Sequence, residues 1–195
     1  MRNVCVYAGS CAGGDARYAE AAWTLVEALA VRDLGLVYGG GRLGLMGELA
    51  DAALKRGIPV TGIIPQALEH HELARTDLPN LIVVQTLHER QAMMAALADA
   101  FVALPGGLGT LAEIVEVLNW TQLGLHRKPV GLLNVADYWN GLVDLLAHAD
   151  GAGFVADADR GRPVNANDPG ELLDLLVAWE PPRPDPRVRV GGVGA

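Results

Sequence analysis

Three glycine clusters carry the chemistry that this sequence suggests: Gly9–Gly14, Gly39–Gly44 and Pro105–Thr110. Glycine lets a backbone approach a ligand closely and adopt positive φ. A helix that starts after such a loop offers unpaired N–H groups to an anion. In Pro105-Gly106-Gly107-Leu108-Gly109-Thr110, three of four consecutive positions are glycine, more than a turn alone needs. A phosphate-bearing ligand is therefore expected. Gly39-x-Gly41-x-x-Gly44 meets the dinucleotide fingerprint formally and Gly107-x-Gly109-x-x-Ala112 loosely. Neither is followed by a strand ending in an acid that could hold a ribose hydroxyl. The ATP-type loop fails, because Leu45 stands where its lysine is required. A nucleoside monophosphate suits these loops better than NAD or ATP.

Charged residues beside the loops supply the candidate reactive groups. Glu113 is expected in the first turn of the helix opened by Gly109-Thr110, where a carboxylate gains ~0.3–1 kcal/mol from the helix dipole. Because that turn faces the phosphate loop, Glu113 is also a catalytic candidate, with Glu116 one turn on as its support. Arg90 lies near the start of its helix, where the dipole disfavours a cation. It either pairs with an acid such as Glu89 or aims its fork at phosphate or ribose. Glu72, in the long loop after the third strand, either reaches the cleft or is a solvated loop charge. Ser10, Gly40, Gly41, Pro105, Gly106, Gly107, Gly109 and Thr110 are the loop positions expected to line the ligand. Met93 and Met94 suit packing, and Met94 is the candidate for a base contact. His70-His71 lies beside Glu69 and Glu72, but the zincin pattern fails because Arg75 takes the second histidine's place, so no metal is expected. His88, His126 and His148 are scattered and suit surface or capping roles.

These residues must be positioned by alternating strands and helices. Short apolar runs at Val4–Ala8, Leu34–Tyr38, Pro59–Ile64, Leu81–Gln85, Phe101–Leu104 and Val130–Leu133 read as strands. Helical spacing is expected over Tyr18–Val31, Leu45–Lys55, Thr86–Ala98, Thr110–Leu123, Tyr138–Ala149 and Pro169–Trp179. Strands separated by such helices imply βαβ units and a parallel sheet. Continuous apolar strands imply that both sheet faces are covered. The expected fold is therefore a Rossmann-like, doubly wound α/β domain over residues 1–179, followed by a Pro/Gly-rich tail over 180–195 expected to be disordered. In such sheets ligands bind beyond the carboxyl ends of the strands, where all three glycine loops would lie.

Composition narrows the partners. A formal net charge of −8 argues against general nucleic-acid binding, yet leaves room for a small anion held by backbone amides. Two cysteines, Cys5 and Cys11, are too few for a disulfide scaffold and point to a reduced, cytoplasmic setting. No apolar run approaches the roughly 18 residues a membrane span needs.

Pro105-Gly-Gly-Leu-Gly-Thr-Leu-Ala-Glu113 resembles the PGGxGTxxE signature of the LONELY GUY (LOG) family of cytokinin riboside 5′-monophosphate phosphoribohydrolases. The likeness continues through Val37–Gly47, Ile64-Pro-Gln-Ala-Leu68 with Glu72, His88-Glu-Arg-Gln-Ala-Met93, and Trp120-Thr-Gln-Leu-Gly124 with His126-Arg-Lys-Pro129. The resemblance implies a Rossmann-like homodimer with a site built partly from both subunits and no cofactor. It implies Arg90 and Glu113 as the catalytic pair, and Glu72, Arg90 and the Gly106–Thr110 loop as nucleotide contacts. The chain departs from the family pattern at Cys11 (serine), Gln91 (lysine), Ala112 (glutamate) and Asn119 (threonine). Relatives have been labelled lysine decarboxylases, a chemistry that needs a lysine bearing pyridoxal phosphate. Lys55 ends a helix and Lys128 precedes a strand, outside any glycine-lined cleft, so that label is not expected to apply.

The implied reaction is hydrolysis of the N-glycosidic bond of an adenosine-type 5′-monophosphate through an oxocarbenium-like ribosyl cation. Glu113 would stabilise that cation, orient ribose hydroxyls or activate water. Arg90 would orient the ribosyl phosphate and assist departure of the base. A general AMP nucleosidase and a non-catalytic nucleotide or cofactor carrier are the alternatives.

Overall fold

Side chains along each strand alternate between two faces, and each face is sealed by helices. The computed structural model describes residues 1–69, 74–155 and 162–181. In β1 (Asn3–Tyr7), Val4 and Val6 enter one core, while Cys5 and Tyr7 enter the other. The first core takes in α1 (Ala16–Val31), α2 (Gly44–Arg56) and α7 (Pro169–Ala178). The second takes in α4 (Leu87–Leu97), α5 (Leu108–Gln122) and α6 (Asn140–Gly151). The one-turn α3 is Gln66–Leu68.

The remaining strands are β2 (Gly35–Tyr38), β3 (Val60–Pro65), β4 (Asn80–Val84), β5 (Ala100–Ala103), β6 (Val130–Leu133) and β7 (Val164–Ala166). They form one seven-stranded sheet in the order β4-β3-β2-β1-β5-β6-β7, parallel throughout. Right-handed crossovers require the helices to change face when the chain reverses direction across the sheet. That reversal lies between β1 and β5, which pair with Val6 opposite Val102. The crevice of a doubly wound sheet opens at such a switch. β2, β1 and β5 are neighbours, so the three glycine loops leave the same edge side by side.

Local signals set the element ends. Asp15 caps α1 by accepting from the Arg17 N–H at 2.9 Å. Gly57 ends α2 at φ +69°, where a Cβ would be disfavoured. Thr86 caps α4, accepting from the Glu89 N–H at 3.1 Å, and the Glu89 carboxylate accepts from the Gln85 N–H at 2.7 Å. That is close to the reciprocal arrangement of a capping box. β7 is a three-residue addition that the sequence pattern does not reveal, because so short a run shows no period. Of the tail, residues 182–195 lie outside the described residues. No described helix is long and apolar enough to cross a membrane.

Candidate functional site

α5 begins at Leu108, inside the glycine cluster, rather than at Thr110. Gly107 is its N-cap residue and no described side chain caps it, so the first-turn N–H groups face the crevice without intrahelical acceptors. The earlier start corrects one expectation: Glu113 sits in the second turn of α5, not the first. Its place there is not that of a helix-start acid; it points across to α4. Glu113 Oε1 lies 3.6 Å from Arg90 Nη2, and both side chains are largely buried, at 19% and 12% exposure. Burial pushes the Glu113 carboxyl above its ordinary value; Arg90 opposes that rise and Glu116 adds to it. Glu89 is engaged by the Gln85 N–H, so the expected alternative pairing of Arg90 with Glu89 is not the one adopted.

Gly39, at the end of β2, makes room for the arginine: a Cβ there would collide with the Arg90 guanidinium. Arg90 Nε is buried and has no hydrogen-bond partner among the described residues. A buried donor left unpaired costs about 1–3 kcal/mol. The glycine loops interlock beneath this pair. The Gly9 N–H donates to the Pro105 carbonyl at 3.1 Å, and the Met46 N–H to the Gly9 carbonyl at 3.3 Å. A Cβ on Gly106 would strike the Thr110 hydroxyl. Gly107 and Gly109 have open space where a Cβ would stand.

These parts enclose a cavity of about 330 Å³, within the size range of small-molecule sites. Its polar end is Ser10, Arg90, Glu113 and the Gly107–Thr110 helix start; its apolar wall includes Leu43, Met46, Ile64 and Leu68. A smaller hollow of about 210 Å³ lies beyond Gly107, shared by Ser10, Pro105, Gly106 and Tyr138. The Tyr138 hydroxyl donates to the Gly106 carbonyl. It is delivered by a turn that holds Ala136 and Asp137 at φ 52° and 61°, in the left-handed region.

The structure thus brings Ser10, Gly41, Gly107, Gly109, Thr110, Arg90 and Glu113 to one cavity, with Pro105 and Gly106 just behind it. Gly40 lies beneath, at φ +71° against Ile63 and Ile64, and its carbonyl accepts from the Arg75 N–H at 2.9 Å. Met94 is not brought in: it is fully buried in the second core, where no base could reach it. Glu116 faces a separate groove between α5 and α6. Glu72, His70 and His71 lie outside the described residues. His126 is not a surface group, since its ring packs on Phe101 and its Nε2 bonds the Val117 carbonyl at 3.0 Å. Sequence reasoning placed Gly39 in its cluster without its part in making room for Arg90, and missed Tyr138; both roles depend on neighbours remote in the chain.

A family model described as "Possible lysine decarboxylase" matches residues 46–176. The residues do not fit the pyridoxal phosphate that description would require. Lys55 lies over the Trp23 ring, Lys128 Nζ donates to the Ala95 carbonyl at 2.7 Å, and neither lines the cavity. The chain is 43% identical to cytokinin riboside 5′-monophosphate phosphoribohydrolase LOG2 of Arabidopsis thaliana, covering 95% of this chain and 87% of that protein. It is 46% identical to a probable phosphoribohydrolase of the same name, LOGL9 of Oryza sativa, covering 93% and 80%. Among solved structures it is similar to the molybdenum cofactor carrier protein of Chlamydomonas reinhardtii (TM-score 0.68, 22% identity, 92% of this chain and 99% of that one), a likeness that shows the fold alone. Identity above 40% across nearly the whole chain decides the matter: it belongs to the LOG family, the cytokinin riboside 5′-monophosphate phosphoribohydrolases.

Proposed function

We propose that the protein hydrolyses the N-glycosidic bond of an N6-modified adenosine 5′-monophosphate, releasing the free base and ribose 5-phosphate. The buried Arg90–Glu113 pair beside an uncapped helix start is the observation that carries this reading. The Gly107–Thr110 N–H groups hold the phosphate, and that remote grip positions the sugar. As the bond to the base stretches, positive charge grows on the ribosyl ring. Glu113 lines the cavity with its side chain largely buried, and its carboxylate stabilises that charge or draws the proton from the attacking water. A carboxyl raised by burial is the stronger base for that step. Arg90 orients the substrate from its place in the cavity lining and limits the rise of the Glu113 carboxyl.

The apolar wall of Leu43, Met46, Ile64 and Leu68 gives an N6 substituent somewhere to pack. The test compares base release from AMP and from N6-isopentenyl-AMP by chromatography. Release from both, abolished in Glu113→Gln while binding persists, is expected. No release from either by the wild-type protein sinks the reading. Preference for AMP makes the protein a general nucleosidase.

The working form in this reading is a homodimer. Leu87, Met93 and Leu97 on α4 and Val115 on α5 are large apolar side chains left at least one-third exposed, suited to a second copy. A cytoplasmic location accords with the two unpaired thiols.

A further inference from the structure

We propose that Gln91 is a positioning residue that sets the separation of Arg90 and Glu113. The inference rests on the reading of those two as the reactive pair. Gln91 follows Arg90 on α4 and is 5% exposed; it and Met94 are the buried residues of that helix. Its Nε2 donates to the Tyr7 hydroxyl at 3.0 Å and to the backbone carbonyl of Glu113 at 3.1 Å. One carboxamide therefore ties α4, at the residue after the arginine, to α5 at the glutamate itself and to the central strand β1.

Both hydrogens of the amide nitrogen are used, which fixes the orientation of the group. Its Oε1 is buried with no partner among the described residues. A packing role alone would be met by methionine or leucine without that desolvation cost. The amide is kept where only its donors are satisfied, and those donors reach the Glu113 backbone. Losing them frees α4 to shift against α5, and the 3.6 Å separation of the pair changes.

Among the described residues, Glu113 is faced by Arg90 from α4, by Tyr7 and Cys5 from β1, and by Glu116 from its own helix. Burial pushes the Tyr7 and Cys5 groups up, so both stay neutral over the working range. Arg90 is therefore the cation whose distance governs the acid limb of the pH profile. In the LOG motif a lysine stands at this position; its ammonium has enough donors for both acceptors and adds a positive charge.

The experiment measures kcat, KM and the kcat–pH profile of wild type, Gln91→Met and Gln91→Lys with N6-isopentenyl-AMP, with thermal unfolding of each. Gln91→Met is expected to lose about tenfold to hundredfold in kcat, as for a misplacement near 1 Å, with KM changed by less than about threefold. Its acid limb moves to higher pH as Arg90 retreats. Gln91→Lys is expected to hold kcat within about threefold and to move the limb to lower pH. A folded Gln91→Met with wild-type kcat and an unmoved limb overturns the proposal. If the methionine variant does not fold, Gln91→Lys decides: inactivity in a folded protein, or an unmoved limb, overturns it. Absence of base release by the wild type would refute the proposed function instead.

Discussion

At the scale of single residues the site is one carboxylate and one guanidinium held out of water. Glu113 keeps its proton to higher pH when folded than when unfolded, where its ordinary value is 4.5, because burial outweighs the opposing pull of Arg90. The native state then binds more protons than the unfolded state between those two values. Stability contributed by Glu113 is full below the unfolded value and is lost as pH rises through the folded one. Glu113→Gln removes that slope. Denaturant midpoints should therefore show the variant gaining on wild type as pH rises from about 4 to 7. A pH-independent difference would mean that the carboxylate is not buried as a charge. The same substitution should abolish base release, which places stability and activity in opposition at this position.

At the scale of elements, α5 starts inside its own glycine cluster, and individual glycines do different work. Gly106 has no room for a methyl group because the Thr110 hydroxyl is in the way, whereas Gly109 faces open cavity. Gly109→Ala should keep the wild-type melting temperature and weaken nucleotide binding, read by calorimetry with AMP. Gly106→Ala should lower the melting temperature as well, with a cost of about 1–3 kcal/mol typical of overpacking. Equal effects in both assays would contradict this division. The sequence showed the cluster without showing which glycine bounds the ligand, since that depends on where Thr110 returns after one helical turn.

At the scale of the whole molecule, three loops and two helices from both halves of the sheet meet at one switch point. A ligand that bridges them binds only the folded chain. AMP at a hundred times its Kd should raise unfolding stability by about 2.7 kcal/mol in wild type. A melting temperature independent of AMP would show that the crevice does not bind it. The proposed homodimer has its own test: sedimentation of Leu97→Lys should show monomer and that of wild type dimer, and wild-type monomer at micromolar concentration would rule the assembly out. Leu25 in the first core is fully buried. Leu25→Ala should cost about 2–5 kcal/mol by chemical denaturation, without altering KM if the protein stays folded.

The order of strand, glycine loop and helix was legible in the sequence because each depends on neighbours within a few residues: apolar runs, capping side chains such as Thr86, and the breaker Gly57. The parallel sheet followed from their alternation, and the glycine-rich loop ahead of α5 from glycines at positions 106, 107 and 109. Tertiary structure alone decided which distant groups meet. Arg90 and Glu113 are 23 residues apart on different helices, and their contact exists because β1 and β5 pair and Gly39 leaves space between. Burial of Met94, the turn of Glu116 toward another groove, and the reach of Gln91 to Tyr7 and Glu113 depend likewise on packing across the sheet. Side-chain period marks a face of a helix; only the packed neighbours determine whether that face meets core, cavity or water.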